Sequence, residues 1–255
     1  MRIASLISGS GTTMKAVAKA CREGALVGLV KPVVVISSRR DNQGIERAKK
    51  YGIKTFIVRP KDFPTPAAFG EKLLKIFRDF DVDLVSQNGW LPLTPVNVIK
   101  RFRGRIINQH PGPLDGRRPD FGGKGMYGSR VICARLAFVW ATGQKDPWTE
   151  STIHYVTEGF DEGSLIRVVR LAVPSFPRLV AIAELQEDSQ KLIETTKIIQ
   201  AKLLPLEHQN VIAVLRAFAK GNSPSFIRPQ PLISPGQKRV LLEAKKLAIR
   251  LFSQG

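Results

Sequence analysis

Short apolar runs alternate with amphipathic segments through the first 110 residues of this chain, and few folds accept that rhythm. Runs at 2–7, 31–37, 55–58, 82–87 and 105–107 read as strands, and helical spacing fills 12–21, 42–51 and 66–80 between them. Repeated βα units of this kind predict a doubly wound, mostly parallel α/β sheet. Such sheets carry their chemistry at the carboxyl ends of the strands. Beyond Pro177 the alternation stops. Residues 179–220 read as helices, and a proline-rich stretch runs from Pro224 to Pro235. Val240, Leu241, Ala244, Leu247, Ala248 and Leu251 then make one apolar stripe of a basic amphipathic helix. The expected organisation is a main domain over 1–222 and a linker with a basic helix over 223–255, a helical C-terminal extension that docks on the domain or on a second copy.

A chain of 255 residues with 43% hydrophobic content can bury a real core as one large domain or two small ones. No apolar stretch approaches the length of a membrane span, and Met1 to Ile7 reads as a first strand rather than a signal peptide, so a cytoplasmic location is expected by elimination. Cys21 and Cys133 lack the paired spacing of a zinc or redox motif and read as small core residues; no metal is expected. The formal charge of +19 implies attraction to polyanions, whether nucleic acid, phosphorylated metabolites or polycarboxylates. It does not choose among them, since the basic residues are scattered and can equally reflect a host's general composition.

Three loops at strand ends carry candidate site residues. After the first strand, Ser8-Gly9-Ser10-Gly11-Thr12-Thr13 opens a helix whose N–H groups can bind an anion, although a bare tight turn is the alternative. The dinucleotide pattern fails because Met14 stands where its third glycine belongs, and Ser37-Ser38-Arg39-Arg40 replaces the acidic residue that would hold a ribose. A small phosphate fits better than a dinucleotide. After the fourth strand, Trp90, Leu91 and Leu93 read as an apolar wall, with ordinary packing the simpler reading for Trp90 alone; Thr94 as N-cap and Pro95 at the first helical position open the next helix.

The third loop follows Arg105-Ile106-Ile107, where strand alternation puts Asn108 and His110 on one face before Pro111-Gly112-Pro113 ends the strand. Alone, the pair could merely satisfy local backbone groups. Further on, Thr152, His154 and Val156 alternate as a strand, and the acidic turn Glu158 to Gly163 presents Asp161. A carboxylate beside an imidazole keeps it protonated near neutral pH, which makes Asp161 the candidate partner of His110. Arg117, Arg118 and Lys124 in the Gly/Arg-rich segment 115–128 are candidate phosphate contacts on a lid, or solvated charges.

Asn108-x-His110, followed by an Asp161 seven residues after His154, resembles the folate-dependent formyltransferases over most of residues 1–173, and the likeness returns at Leu206-Glu207-His208. The resemblance implies a catalytic domain that moves a formyl group from 10-formyltetrahydrofolate to an amine, that of glycinamide ribonucleotide in purine synthesis. It implies that the loop at Gly11, Thr12 and Thr13 holds the ribonucleotide phosphate, that Glu207 contacts this substrate, and that Trp90, Leu91, Leu93, Glu158 and Gly159 line the folate pocket. Three departures stand out: Thr12-Thr13 in place of Ser-Asn, Gly112-Pro113-Leu114-Asp115 in place of Ser-Leu-Leu-Pro, and no arginine counterpart within Thr65 to Phe69. They bear on the acceptor more than on the donor.

Under this reading Asn108 and a protonated His110 donate to the oxyanion, Asp161 keeps His110 charged and collects the amine's proton through water, and His154 holds the Asp161 turn. The expected partners are a phosphorylated ribonucleotide and a folate, with a homo-oligomer as an option and no membrane. Other readings are a methionyl-tRNA formyltransferase, a formyltetrahydrofolate hydrolase, a noncatalytic RNA- or polyanion-binding protein on the same fold and an NADP-dependent reductase.

Overall fold

A computed structural model describes residues 1–116 and 118–253; Arg117 lies outside the described residues. Seven strands form one sheet in the order β3-β2-β1-β4-β5-β6-β7. They are β1 (Arg2–Ile7), β2 (Lys31–Ser37), β3 (Lys54–Ile57), β4 (Leu84–Gln87), β5 (Ile106–His110), β6 (Trp148–Tyr155) and β7 (Leu165–Ala172). The first five are mutually parallel, and β6 pairs antiparallel with both β5 and β7. Helices α1 (Thr12–Glu23), α2 (Gln43–Lys50), α3 (Pro66–Asp79) and α4 (Val96–Arg101) supply the crossovers, and α5 (Ser129–Thr142), α6 (Ile182–Glu187), α7 (Gln190–Ala219) and α8 (Lys238–Leu251) follow. The doubly wound reading holds. No described helix is long and apolar enough to cross a membrane.

Alternation along the strands sorts the core into two layers. Ala4, Leu6, Val34 and Ile36 pack with Leu73 and Phe77 of α3, whereas Ile3 joins Val17 of α1 and Val211, Val214 and Leu215 of α7 on the other face. A third cluster forms outside the sheet, where α5 is buried nearly all round by α6, α7 and α8. Ala244, Leu247 and Ala248 of α8 lie in that cluster, so the C-terminal stripe docks on its own chain.

Two local expectations are corrected. Thr94 does not cap α4, which has Pro95 at its N-cap; its Oγ1 instead accepts from the buried Gln87 amide at 2.6 Å, a partner that the amide needs more than an exposed turn needs a cap. Strand β6 begins at Trp148 rather than near Thr152, and its polar residues Thr149, Glu150, Ser151 and Thr152 are buried. They stay in the sheet because partners reach them from afar. Asn210 of α7 donates to Ser151 O at 3.0 Å, and Arg228 pairs with Glu150.

Candidate active site

The strand order reverses beside β1, with β2 on one side and β4 on the other, and that is where an open α/β sheet leaves a crevice. A cleft of about 840 Å³ opens there, within the size range of small-molecule sites. The loops after β1, β4, β5 and β6 line it, and α7 closes one side.

The loop after β1 reaches α1 through Gly11, whose left-handed φ of 66° suits glycine and whose Cα faces Gly44 so closely that a Cβ would lie 2.8 Å from the Gly44 Cα. Thr12 and Thr13 then begin α1, so the first N–H groups of a twelve-residue helix open into the cleft. On the opposite wall Trp90, Leu91 and Leu93 all line the space. Trp90 itself packs, as the simpler reading of it had it: it is buried and stacks on Phe69 with ring centroids 6.3 Å apart. Its buried Nε1 has no hydrogen-bond partner among the described residues. Gly159 and Phe160 line the cleft as well, whereas Glu158 is exposed and outside the lining.

At the floor, β5 and β6 bring Asn108 opposite His154 and His110 opposite Thr152. The turn after β6 returns Asp161 over them with a left-handed φ of 59°, a conformation that aspartate tolerates better than most side chains. Its Oδ1 lies 3.4 Å from His154 Nε2 and its Oδ2 lies 3.6 Å from His110 Nδ1. Asn108 Nδ2 sits 3.1 Å from His154 Nε2 and donates to Asp161 Oδ1 at 3.3 Å. His154 Nδ1 lies 2.8 Å from Tyr155 O, which assigns the proton to Nδ1 and leaves Nε2 to accept from Asn108. The Gly123 N–H donates to Asp161 Oδ2 at 2.9 Å.

The structure thus gathers the four residues singled out in the sequence, with two differences. The Asn108 amide is already engaged by His154 and Asp161, so it must turn from one of them to meet a ligand. His110 is not held protonated: burial lowers its affinity for the proton more than Asp161 raises it, and the imidazole is pushed down to about 4. The distance to the carboxylate is too long for a hydrogen bond, so desolvation wins. Burial also raises the Asp161 carboxyl, but His110, His154 and the Gly123 N–H outweigh it and hold the group well below the usual carboxylate range. At neutral pH the charge sits on Asp161, and the buried Nε2 of His110 has no partner among the described residues.

Gln109 alternates to the other face of β5, beside Glu207 of α7. Burial pushes the Glu207 carboxyl up to about 7, only partly opposed by the Gln109 amide. Pro205, inside α7 and without an N–H, leaves the Ala201 carbonyl without its helical donor, and Ala201 lines the cleft.

Contacts from the C-terminal segment were not foreseen. Lys245 of α8 donates to Asp120 O at 2.9 Å and to Gly122 O at 2.7 Å, so it holds the loop whose Gly123 grips Asp161. Arg228 donates to Leu114 O and pairs with Glu150, whose Oε1 accepts from Thr152 Oγ1 at 2.9 Å. In the segment expected to act as a lid or phosphate contact, Arg118 pairs with Asp115, and Lys124 is exposed at the rim of the cleft. Among the described residues no group of three or more His, Cys, Asp or Glu side chains is placed to hold a metal ion.

The formyl transferase family profile matches residues 1–178. The chain is 31% identical over 196 residues to the chloroplastic phosphoribosylglycinamide formyltransferase of Arabidopsis thaliana, covering 76% of this chain and 63% of that protein. It is 29% identical over 220 residues to the phosphoribosylglycinamide formyltransferase of Haemophilus influenzae, covering 86% and 88%. The chain spans 12% of a trifunctional purine biosynthetic protein adenosine-3 from Drosophila pseudoobscura pseudoobscura, to which it is 33% identical over 178 residues. The crystal structure of glycinamide ribonucleotide transformylase 1 from Symbiobacterium toebii superposes with a TM-score of 0.68 at 30% identity, covering 87% of this chain and 88% of that one. With a profile match through β7 and a fold shared over most of its length, the chain belongs to the formyl transferase family.

Proposed function

We propose that this protein transfers a formyl group from 10-formyltetrahydrofolate to the amine of glycinamide ribonucleotide. The observation that carries the reading is the Asn108, His110, Asp161 and His154 cluster at the floor of a cleft whose two ends differ in chemistry. One end offers helix N–H groups at Gly11 to Thr13, suited to a phosphate. The other offers the apolar wall of Trp90, Leu91 and Leu93 with the partnerless indole N–H, suited to a flat ring system with polar edges. Gly159 supports the folate end through its backbone, and Glu158 can contribute only from the rim.

In this reading the acceptor amine attacks the formyl carbon and negative charge develops on the carbonyl oxygen. Asn108 turns one N–H from its present partners to that oxygen, a contact worth about 10²- to 10³-fold in rate for a single donor. His110 is neutral at rest. New negative charge beside it raises its affinity for a proton, so it takes up the amine's proton by way of water, becoming the imidazolium, as the intermediate forms and gives it back when the intermediate collapses. Asp161 stabilises that cation and passes the amine's proton through water, and the proton ends on the folate nitrogen that loses the formyl group. His154 supports the Asp161 turn through Asn108, whose amide donates to both of them. Glu207, half-protonated near neutral pH, meets the polar part of the ribonucleotide.

Residues 1–222 carry this machinery and 223–253 brace it. The helices that follow β7 favour a small acceptor over a tRNA, while the formal charge of +19 favours methionyl-tRNA as the second reading. Acceptor-dependent turnover with glycinamide ribonucleotide and with methionyl-tRNA, each run on wild type and Asp161→Asn, distinguishes them. The proposal expects turnover with the ribonucleotide, lost in the variant; turnover with tRNA alone overturns it.

A further inference from the structure

A second cavity of about 360 Å³ lies beyond Glu150, between the end of α5, β6, β7 and the proline-rich segment. Its walls carry Arg135, Lys145, Arg170 and Arg228, with Trp148 among them and, among the described residues, no carboxylate in the lining. Three guanidinium groups surround one indole: Arg170 at 4.2 Å from the ring centroid, Arg135 at 4.9 Å and Arg228 at 5.8 Å. Like charges gathered this closely repel one another, and the ring's quadrupole offsets only part of that.

Arg135 makes the case. It is only 2% exposed, on a helix whose other buried residues are apolar save Ser129 and Arg130 at its start. Its Nε donates to Trp148 O at 2.8 Å and its Nη2 to Gln144 Oε1 at 3.0 Å, and among the described residues no carboxylate lies within ion-pair distance of it. The one acid beneath the cavity, Glu150, is committed to Arg228, whose side chain is itself buried. Buried charges are paired or they are costly, and here two buried guanidinium groups share one carboxylate. Desolvation accordingly pushes Arg135 down to about 10. A cation kept under those conditions, facing a cavity with two more cations at its mouth, is the signature of an anion's counter-charge.

We infer that this cavity is a second ligand site, separate from the formyl-transfer cleft, and that it takes a compact phosphate-bearing anion. Arginine forks match phosphate oxygens in pairs, and the volume suits a diphosphate or a small phosphate ester. Because Arg228 also donates to Leu114 O, the cavity's floor is tied to the turn that follows His110.

The test locates the anion and measures it. Crystals of the full chain soaked in tungstate should show an anomalous peak between Arg135, Arg170 and Arg228, irrespective of any peak at Gly11 to Thr13; no peak in this cavity overturns the inference. Calorimetric titration with pyrophosphate should show an event weakened about tenfold to a hundredfold in a Lys145→Ser/Arg170→Ser variant, the loss expected for a charge-assisted hydrogen bond. Both side chains are exposed, so the variant keeps its fold, and a Lys50→Ser/Lys61→Ser variant of equal net charge should titrate like wild type. An isotherm unchanged in the first variant, or weakened equally in both, overturns the site, as does binding of single-stranded RNA at this cavity with none of pyrophosphate.

Discussion

Replacing Lys245 by methionine keeps the aliphatic stem in its place on α8 and removes the ammonium from the Asp120 and Gly122 carbonyls, at 2.9 and 2.7 Å. Hydrogen bonds with a charged partner contribute about 1.5–3 kcal/mol each, and the ammonium is partly buried, so its desolvation offsets some of that gain. The net loss is about 2 kcal/mol. For a chain of this size that lowers the melting temperature by about 4–8 °C. Turnover should suffer more than stability does. The two carbonyls immediately precede Gly123, whose N–H shares a peptide with the Gly122 carbonyl and fixes Asp161 Oδ2 at 2.9 Å, and misplacing a reacting group by about 1 Å costs about 10²-fold. Scanning calorimetry and steady-state kinetics, taken well below the variant's melting temperature, separate the two effects. A variant that melts lower while its kcat stays within about twofold of wild type would show that the α8 contact only braces the fold, and the link from Lys245 to Asp161 would be wrong. Lys245→Arg, which keeps the charge, should recover part of the kcat.

Two further substitutions probe the buried charges. Glu207 has its folded-state affinity for protons raised from 4.5 to about 7, so the native state binds more protons than the unfolded state between those values, and stability falls as pH rises through them. Glu207→Gln should therefore remove about 3 kcal/mol of pH dependence between pH 4.5 and 7 in urea unfolding; parallel pH profiles for variant and wild type would contradict this. Arg228→Met leaves Glu150 buried without its ion pair and should cost about 3–5 kcal/mol at neutral pH, less in acid where Glu150 protonates, and a denaturation midpoint unchanged at pH 7 would refute that assignment.

Much of this molecule was legible in its sequence, because the period-two and period-3.6 patterns that build a doubly wound sheet act locally. The same alternation put Asn108 and His110 on one face of β5, and the acidic turn after His154 made Asp161 a candidate before any contact was visible. What could not be read depends on closure over long distances. Lys245 meets Gly122 across 123 positions and Arg228 meets Leu114 across 114, and on an amphipathic helix or in a proline-rich stretch such residues look like solvated charges. The protonation of His110 was misjudged for a related reason: spacing shows that a carboxylate is near, but not how deeply the pair is buried. One signal was available and unused. Arg135 stands inside an apolar helix, where a charge needs a partner, and that alone pointed to polar structure around it.

The central claim is that His110, Asn108 and Asp161 act together on a formyl group in the cleft at the sheet's switch point. Formyl transfer from 10-formyltetrahydrofolate to glycinamide ribonucleotide, followed by absorbance for wild type and His110→Ala, tests it most directly. The account predicts acceptor-dependent turnover in wild type and a loss of about 10²-fold or more in kcat for the variant, with substrate binding retained. Turnover that survives in His110→Ala, or none in wild type despite folate binding, would contradict it.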